Sequence, residues 1–209
     1  MAGSRDELGE RRAGYRSRRP LLADAAIAVL AREGGRGLTH RAVDREASVP
    51  EGTTKNYHPT RQSLLEAVAA RMAETHRAAV ERLRETTPAS ATPSQLRMLY
   101  PALIRRAVDG DPTQTLAMFE LYLEAVRRPA IRAALGAMVT DNARAVAELH
   151  RAAGVRSTVA DAGLLGVLVS QLALAGDALA TIGLDDVDTI GTQLFDATTP
   201  YVELDRHAN

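Results

Sequence analysis

Apolar residues recur at helical spacing along almost the whole chain and alternate at strand spacing almost nowhere, which restricts the protein to an all-α fold. The first clear run shows the pattern: Leu22, Ala25, Ala26, Val29 and Leu30 fall at i, i+3, i+4, i+7 and i+8 and make one apolar stripe. Ala, Leu, Arg and Glu dominate between the stripes, and all are good helix formers. The spacing predicts nine helices, over residues 20–32, 39–47, 50–57, 61–85, 94–108, 112–127, 129–153, 157–182 and 187–204. Breaks are expected at Gly34-Gly35-Arg36-Gly37, at Ser48-Val49, at Pro59, in the Pro/Ser/Thr-rich stretch 86–93, at Gly110-Asp111-Pro112, at Arg128-Pro129, at Gly154 and at Gly183-Leu184-Asp185. Thr39 is placed to cap the second helix, and Pro50 suits the first position of the third, where its missing N–H has no helical partner. No internal repeat or low-complexity tract interrupts the pattern.

Composition excludes several classes. The 209 residues include no Cys, which removes disulfides, thiolate metal sites and thiol nucleophiles. The first 19 residues are charged throughout and lack the apolar core of a signal peptide. The longest uncharged run, 162–176, is shorter than the roughly 20 apolar residues of a spanning helix. A soluble, cytoplasmic protein without a membrane segment is the expectation. Charge is divided unevenly along the chain. Residues 1–61 carry 12 basic against 8 acidic side chains and the remainder 14 against 18, so a neutral total hides a basic front that suits a polyanion.

That front also has a plan. Two short helices joined by a tight turn, with a longer helix on each side, form the framework of a helix-turn-helix DNA reader. Such a unit needs a small inward residue on the first short helix, an apolar anchor in the turn, and short polar side chains on the second. Ala47, Val49 and Glu51-Gly52-Thr53-Thr54-Lys55-Asn56 meet those needs. Thr methyls can touch thymine methyls, Asn can pair with adenine, and Lys can reach guanine or phosphate. The segment LLADAAIAVLAREGGRGLTHRAVDREASVPEGTTKNYHPTRQSLLEAV, about residues 20–68, resembles the DNA-binding head of the TetR family of bacterial repressors. The resemblance lies in the Ala-rich first helix, the Gly loop before Leu38-Thr39, Val43 and Ala47, then Val49, Gly52, Tyr57 and Arg61-Gln62-Ser63-Leu64-Leu65. Glu124-Ala125-Val126-Arg127-Arg128-Pro129 is similar to a run in the body of one branch of the family. Four positions depart from the pattern. Ser48 stands where a turn glycine is usual, which strains the turn by roughly 1 kcal/mol if its φ is positive. Pro50 replaces a frequent Ser, Lys55 a frequent phosphate-contacting Tyr, and His58 a packed Phe; Lys55 is the sole lysine of the chain.

The resemblance implies a DNA-binding set of Thr39, Arg41, Pro50, Thr53, Thr54, Lys55, Asn56, Tyr57 and Arg61. In it Thr39 and Tyr57 would hold phosphates, Thr53, Thr54 and Asn56 would face base edges, and Arg61 would lie beside the DNA backbone. The arm with Arg11, Arg12, Arg16, Arg18 and Arg19 would either follow a minor groove or remain a solvated tail.

Behind the head, Met98, Leu103, Met118, Phe119, Tyr122 and Met138 lie on three consecutive helices. Met adapts to irregular gaps and Tyr adds a polar handle, so these residues could enclose a small effector; for any single one, plain core is the simpler role. Gln171 and Asp177 are polar groups in an otherwise apolar helix and each needs a partner. That helix is apolar nearly all round, with Leu164, Leu168, Leu172, Ala175 and Leu179 on one side, and must be buried on several sides. Pairing with the ninth helix and their copies in a homodimer would bury it, which is also the family's dimer mode.

No metal, cofactor or catalytic residue is expected. The five His have no ligand spacing, no phosphate loop or nucleophile elbow is present, and His58 reads as a packing residue. The acids at 185–188 read as a helix cap, not a cation site. The division expected is a basic flexible arm (1–19), a helix-turn-helix domain (20–62) and a ligand-binding and dimerisation domain (63–209). The function expected is a homodimeric regulator released from a palindromic double-stranded DNA operator by a small molecule. Two other classes compete: an all-α enzyme using Glu120, Asp177 or His76 in the body, and an adaptor whose head binds protein.

Overall fold

Helix is the only regular structure among the described residues of the computed structural model, which covers 3–88, 91–180 and 186–199, with side chains from 18 onward apart from 107, 176–180 and 187. In order, the elements are α1 (Gly3–Gly37), α2 (His40–Glu46), α3 (Thr53–Tyr57), α4 (Arg61–Thr86), α5 (Pro93–Asp109), α6 (Thr113–Arg127), α7 (Pro129–Ala152), α8 (Val159–Ala180) and α9 (Val187–Thr198). The all-α expectation holds, and most breaks fall where glycine and proline placed them.

Two elements differ from the sequence reading. Residues 3–19, expected as a flexible arm, continue α1 as helix through Pro20, in keeping with the helix-forming Arg, Glu, Ala and Leu of that stretch. The third helix starts at Thr53 and not at Pro50. Gly52 takes a left-handed conformation (φ 90°) at its N-cap, so Pro50 lies in the preceding turn and its carbonyl accepts from the Thr53 N–H at 3.1 Å.

The chain forms two compact units, residues 1–74 with 116–135, and residues 75–115 with 136–209. In the first, Leu22, Ala26, Ile27, Val29 and Leu30 of α1, Val43 of α2, and Leu64, Leu65, Val68 and Met72 of α4 are buried. A ring of apolar side chains of this kind, each worth roughly 1.5–3 kcal/mol when removed from water, fixes the short helices on the long ones. Gly34 ends the straight part of α1 with φ 67°, a conformation that glycine adopts without steric cost. Arg71 of α4 binds Asp24 of α1 through two hydrogen bonds, at 2.6 and 3.0 Å.

In the second unit α5 packs on α8 and α9, which also pack on each other. Leu96, Tyr100, Ala153, Val155, Leu165 and Phe195 form its buried core. Tyr100, His150 and Phe195 meet ring to ring, with centroids 4.8–5.8 Å apart. A Cβ on Gly191 of α9 would stand 2.8 Å from Cα of Pro101 in α5, so glycine permits this close approach. Arg97 holds Asp196 across the same seam with two hydrogen bonds of 2.7 and 2.6 Å. Asp186 caps α9 by accepting from the N–H groups of Asp188 and Thr189, the role expected for that acidic cluster.

Candidate nucleic-acid interface

α3 has only five residues, too few to be stable alone, so its position must come from its surroundings. Asp44 of α2 supplies that position. Its carboxylate is buried, and it accepts from the N–H of Gly52 at 2.8 Å, the N–H of Thr54 at 2.7 Å and the hydroxyl of Thr54 at 2.6 Å. Three donors, two of them backbone groups that begin α3, are thereby satisfied by one side chain. Thr39 caps α2 in the expected manner, accepting from the Ala42 N–H at 3.1 Å. The C-terminal end of α3 is held by His58, whose carbonyl accepts from Nε2 of His40 at 2.6 Å. His58 is buried, and its imidazole is held below the usual histidine range first by burial and then by Arg19 and the neighbouring His40 ring.

This scaffold sorts the expected DNA-binding residues into two groups. Pro50, Lys55 and Asn56 are exposed on the outer side of the turn and α3, and Tyr57 is half-buried beside them. Thr39 and Arg41 are exposed on α2 and its cap, where Arg41 pairs with Glu51 at 2.6 Å. The other three point elsewhere. Thr54 is completely buried, its hydroxyl committed to Asp44, so it positions α3 and does not face a base. Thr53 is also buried and donates its hydroxyl to the Pro50 carbonyl at 2.6 Å. Arg61 turns inward, donating to the Leu38 carbonyl and to Glu124 at 2.7 Å each and also to the Gly35 carbonyl, in place of the site beside DNA that the resemblance suggested. Ser48 has φ 53°, the strained turn conformation anticipated for a non-glycine residue there.

Sequence reasoning missed Asp44. The signal was available in that a helix beginning at Gly52-Thr53 has no Ser, Thr, Asp or Asn at its own N-cap and must borrow an acceptor.

The expected effector residues are divided between the two units, and those of the second unit lie on different surfaces. Phe119 and Tyr122 of α6 form an edge-to-face pair with centroids 6.1 Å apart, and Met118 beside them is buried. Met138 is buried in the second unit and Leu103 half-buried. Met98 is 77% exposed and lines a shallow cleft with Pro101, Arg105 and Asp188. Gln171 lies apart from it, in a groove of about 460 Å³ between α8 and α9 that Leu168, Leu172, Ala175, Ile190 and Leu194 also line. Gln171 therefore keeps company with the expected dimer residues. Leu164 is exposed on the same helix, whereas the side chains of Asp177 and Leu179 lie outside the described residues. No helix among the described residues is long and apolar enough to cross a membrane, and none of their His, Asp and Glu side chains cluster as a metal site.

Comparison with known proteins agrees with this architecture. The family model for the tetracyclin repressor-like C-terminal domain matches residues 91–197, just over half of the chain. The chain belongs to the TetR family of transcriptional regulators. Among solved structures, the multidrug binding protein EbrR in complex with ethidium is 26% identical, with 88% of this chain and 99% of that one covered at a TM-score of 0.63. The TetR-family member SCO1917 of Streptomyces coelicolor A3 is 27% identical, with 88% and 98% covered at a TM-score of 0.62. A TetR-family regulator from Rhodococcus sp., at 22% identity and a TM-score of 0.65 over 87% of this chain and 98% of its own, shares the fold. A search of the curated proteins returned no match.

Proposed function

We propose that this regulator is a homodimeric repressor that binds a near-palindromic DNA operator through α3 and is released from it by a small molecule. The observation that carries the reading is the presentation of α3. A helix too short to stand alone is capped by a buried carboxylate, which leaves Lys55 and Asn56 exposed on a firmly held probe. Phosphate contacts would come from Thr39, Arg41, Lys55 and Tyr57, and base reading from Asn56 with Lys55. Within this reading residues 20–62 are the DNA-binding domain and 63–209 the effector and dimerisation domain.

The apolar α8–α9 groove supports a dimer. Residues 162–176 carry no charge, and Leu164, Leu168 and Leu172 leave apolar surface that a second copy of the pair would cover. EbrR has been solved with ethidium, with imidazole and with proflavin, which supports a small aromatic effector here as well. The Phe119–Tyr122 pair offers ring faces and edges for such a ligand to stack on. Release follows if the ligand prefers a conformation that DNA disfavours, since an effector shifts an equilibrium only by its differential affinity.

Selection of duplexes from random oligonucleotides tests head and symmetry together. Two inverted half-sites centred about one helical turn apart are expected. Enrichment of no duplex sequence would refute the reading.

A further inference from the structure

The inward turn of Arg61 ties α6 to the recognition helix by an unbroken set of contacts inside one compact unit. On α6, the Glu120 carboxylate accepts from the Gly35 N–H at 2.8 Å. One turn later Glu124 accepts from Arg61 at 2.7 Å and from Arg128 at 2.8 Å. Arg61 in turn donates to the carbonyls of Gly35 and Leu38. Leu38 directly precedes Thr39, the cap of α2, and α2 carries Asp44, which holds the first turn of α3. The fit at Gly35 is close, because a Cβ there would stand 2.8 Å from the Glu124 carboxylate. Burial raises the pKa of Glu124, but Arg128 and Arg61 outweigh it and keep the group below the usual carboxylate range, so the clasp is charged at neutral pH.

We infer that Glu120 and Glu124 are positioning residues for DNA recognition: they fix the α1–α2 turn and the start of α4, and through Asp44 the angle at which α3 is presented. Neither residue lies on the exposed side of α3. Their effect on affinity would therefore be exerted at a distance, through discrete hydrogen bonds that a shift of α6 makes or breaks. The two carboxylates act differently. Glu120 accepts a single hydrogen bond from a backbone N–H, a task that the amide oxygen of Gln can perform. Glu124 must accept from two guanidinium groups with two oxygens, a task that Gln cannot perform because an NH2 donor replaces one of the oxygens.

This rests on the DNA-binding reading, and the test separates the two. The full-length protein, with Glu120→Gln, Glu120→Ala and Glu124→Gln variants, is titrated against the duplex that the wild type selects from random oligonucleotides. Amide exchange is followed in the same samples. Affinity is expected to fall about tenfold for Glu124→Gln and Glu120→Ala and to stay near wild type for Glu120→Gln. The Gly52 and Thr54 amides should exchange about tenfold faster in the two weakened variants, while amides around Leu65 and Val68 keep their rates. Wild-type affinity and exchange in Glu124→Gln would overturn the inference and leave the DNA-binding reading intact. Uniformly faster exchange across the first unit would overturn it in favour of general loosening. Failure of the wild type to select any duplex would overturn both.

Discussion

The first unit secures its working surface with charge and hydrogen bonds, whereas the second secures its own with packed rings and apolar helices. In the head, a buried Asp44 satisfies three donors and a five-residue helix is held from outside. In the body, Tyr100, His150 and Phe195 interlock within an apolar core, where the Tyr100 hydroxyl is hydrogen-bonded to His150. Burial raises the pKa of the Tyr100 hydroxyl and lowers that of the His150 imidazole to about 4. A surface held by polar groups fails abruptly when one group is removed. A surface held by apolar contact weakens in proportion to what is lost.

The largest effect is expected in the head. Asp44→Ala removes the acceptor for two helix-starting N–H groups and a buried hydroxyl, a cost of about 3 kcal/mol. Urea denaturation should report that loss, and binding to the selected duplex should disappear. Acidification sets a body core of comparable sensitivity against it. Because the folded-state pKa of His150 lies below its free value of 6.5, the unfolded chain takes up the proton first as pH falls. The corresponding stability is complete above pH 6.5 and is lost progressively down to about pH 4, by about 3 kcal/mol in all. A His150→Leu variant should lose most of that pH dependence in thermal melts between pH 7 and 4. Next in size is Gly191→Ala, which drives a methyl group into the backbone of Pro101 and should cost roughly 1–3 kcal/mol in the same melts, with DNA affinity affected only through dimer stability. The smallest change has the opposite sign. Ser48→Gly relieves a positive φ in an exposed turn and should raise stability by about 0.5 kcal/mol after the added freedom of the unfolded glycine is discounted.

The contrast also governs what could be read from the residues alone. The head is local: Thr39, Gly52 and Lys55 lie within one short stretch, so spacing alone gave the Thr39 cap, the turn and the exposed Lys55 and Asn56, though not the Asp44 cap. Errors arose where a side chain chose a distant or an inward partner. Thr54 was expected at a base edge but serves Asp44, and Arg61 was expected at a phosphate but reaches Glu124, 63 positions away. The start of α3 was misplaced because Pro50 signals a helix start as readily as a turn. In the body, helix spacing gave the described elements but not how their apolar faces group, and the expected break at 183–185 and the expected helix ends at 182 and 204 lie outside the described residues. Met98 and Gln171 look equally able to line a pocket in the sequence, and the fold places them on different surfaces.

The central claim is that the outer side of α3 meets the phosphates and bases of duplex DNA, and salt dependence of binding measures this most directly. For the selected duplex, log affinity should fall linearly with log salt concentration, and Lys55→Ala should reduce the slope by roughly two for a dimer that loses one phosphate contact per protomer. An affinity indifferent to salt, or a Lys55→Ala slope identical to that of the wild type, would contradict the account.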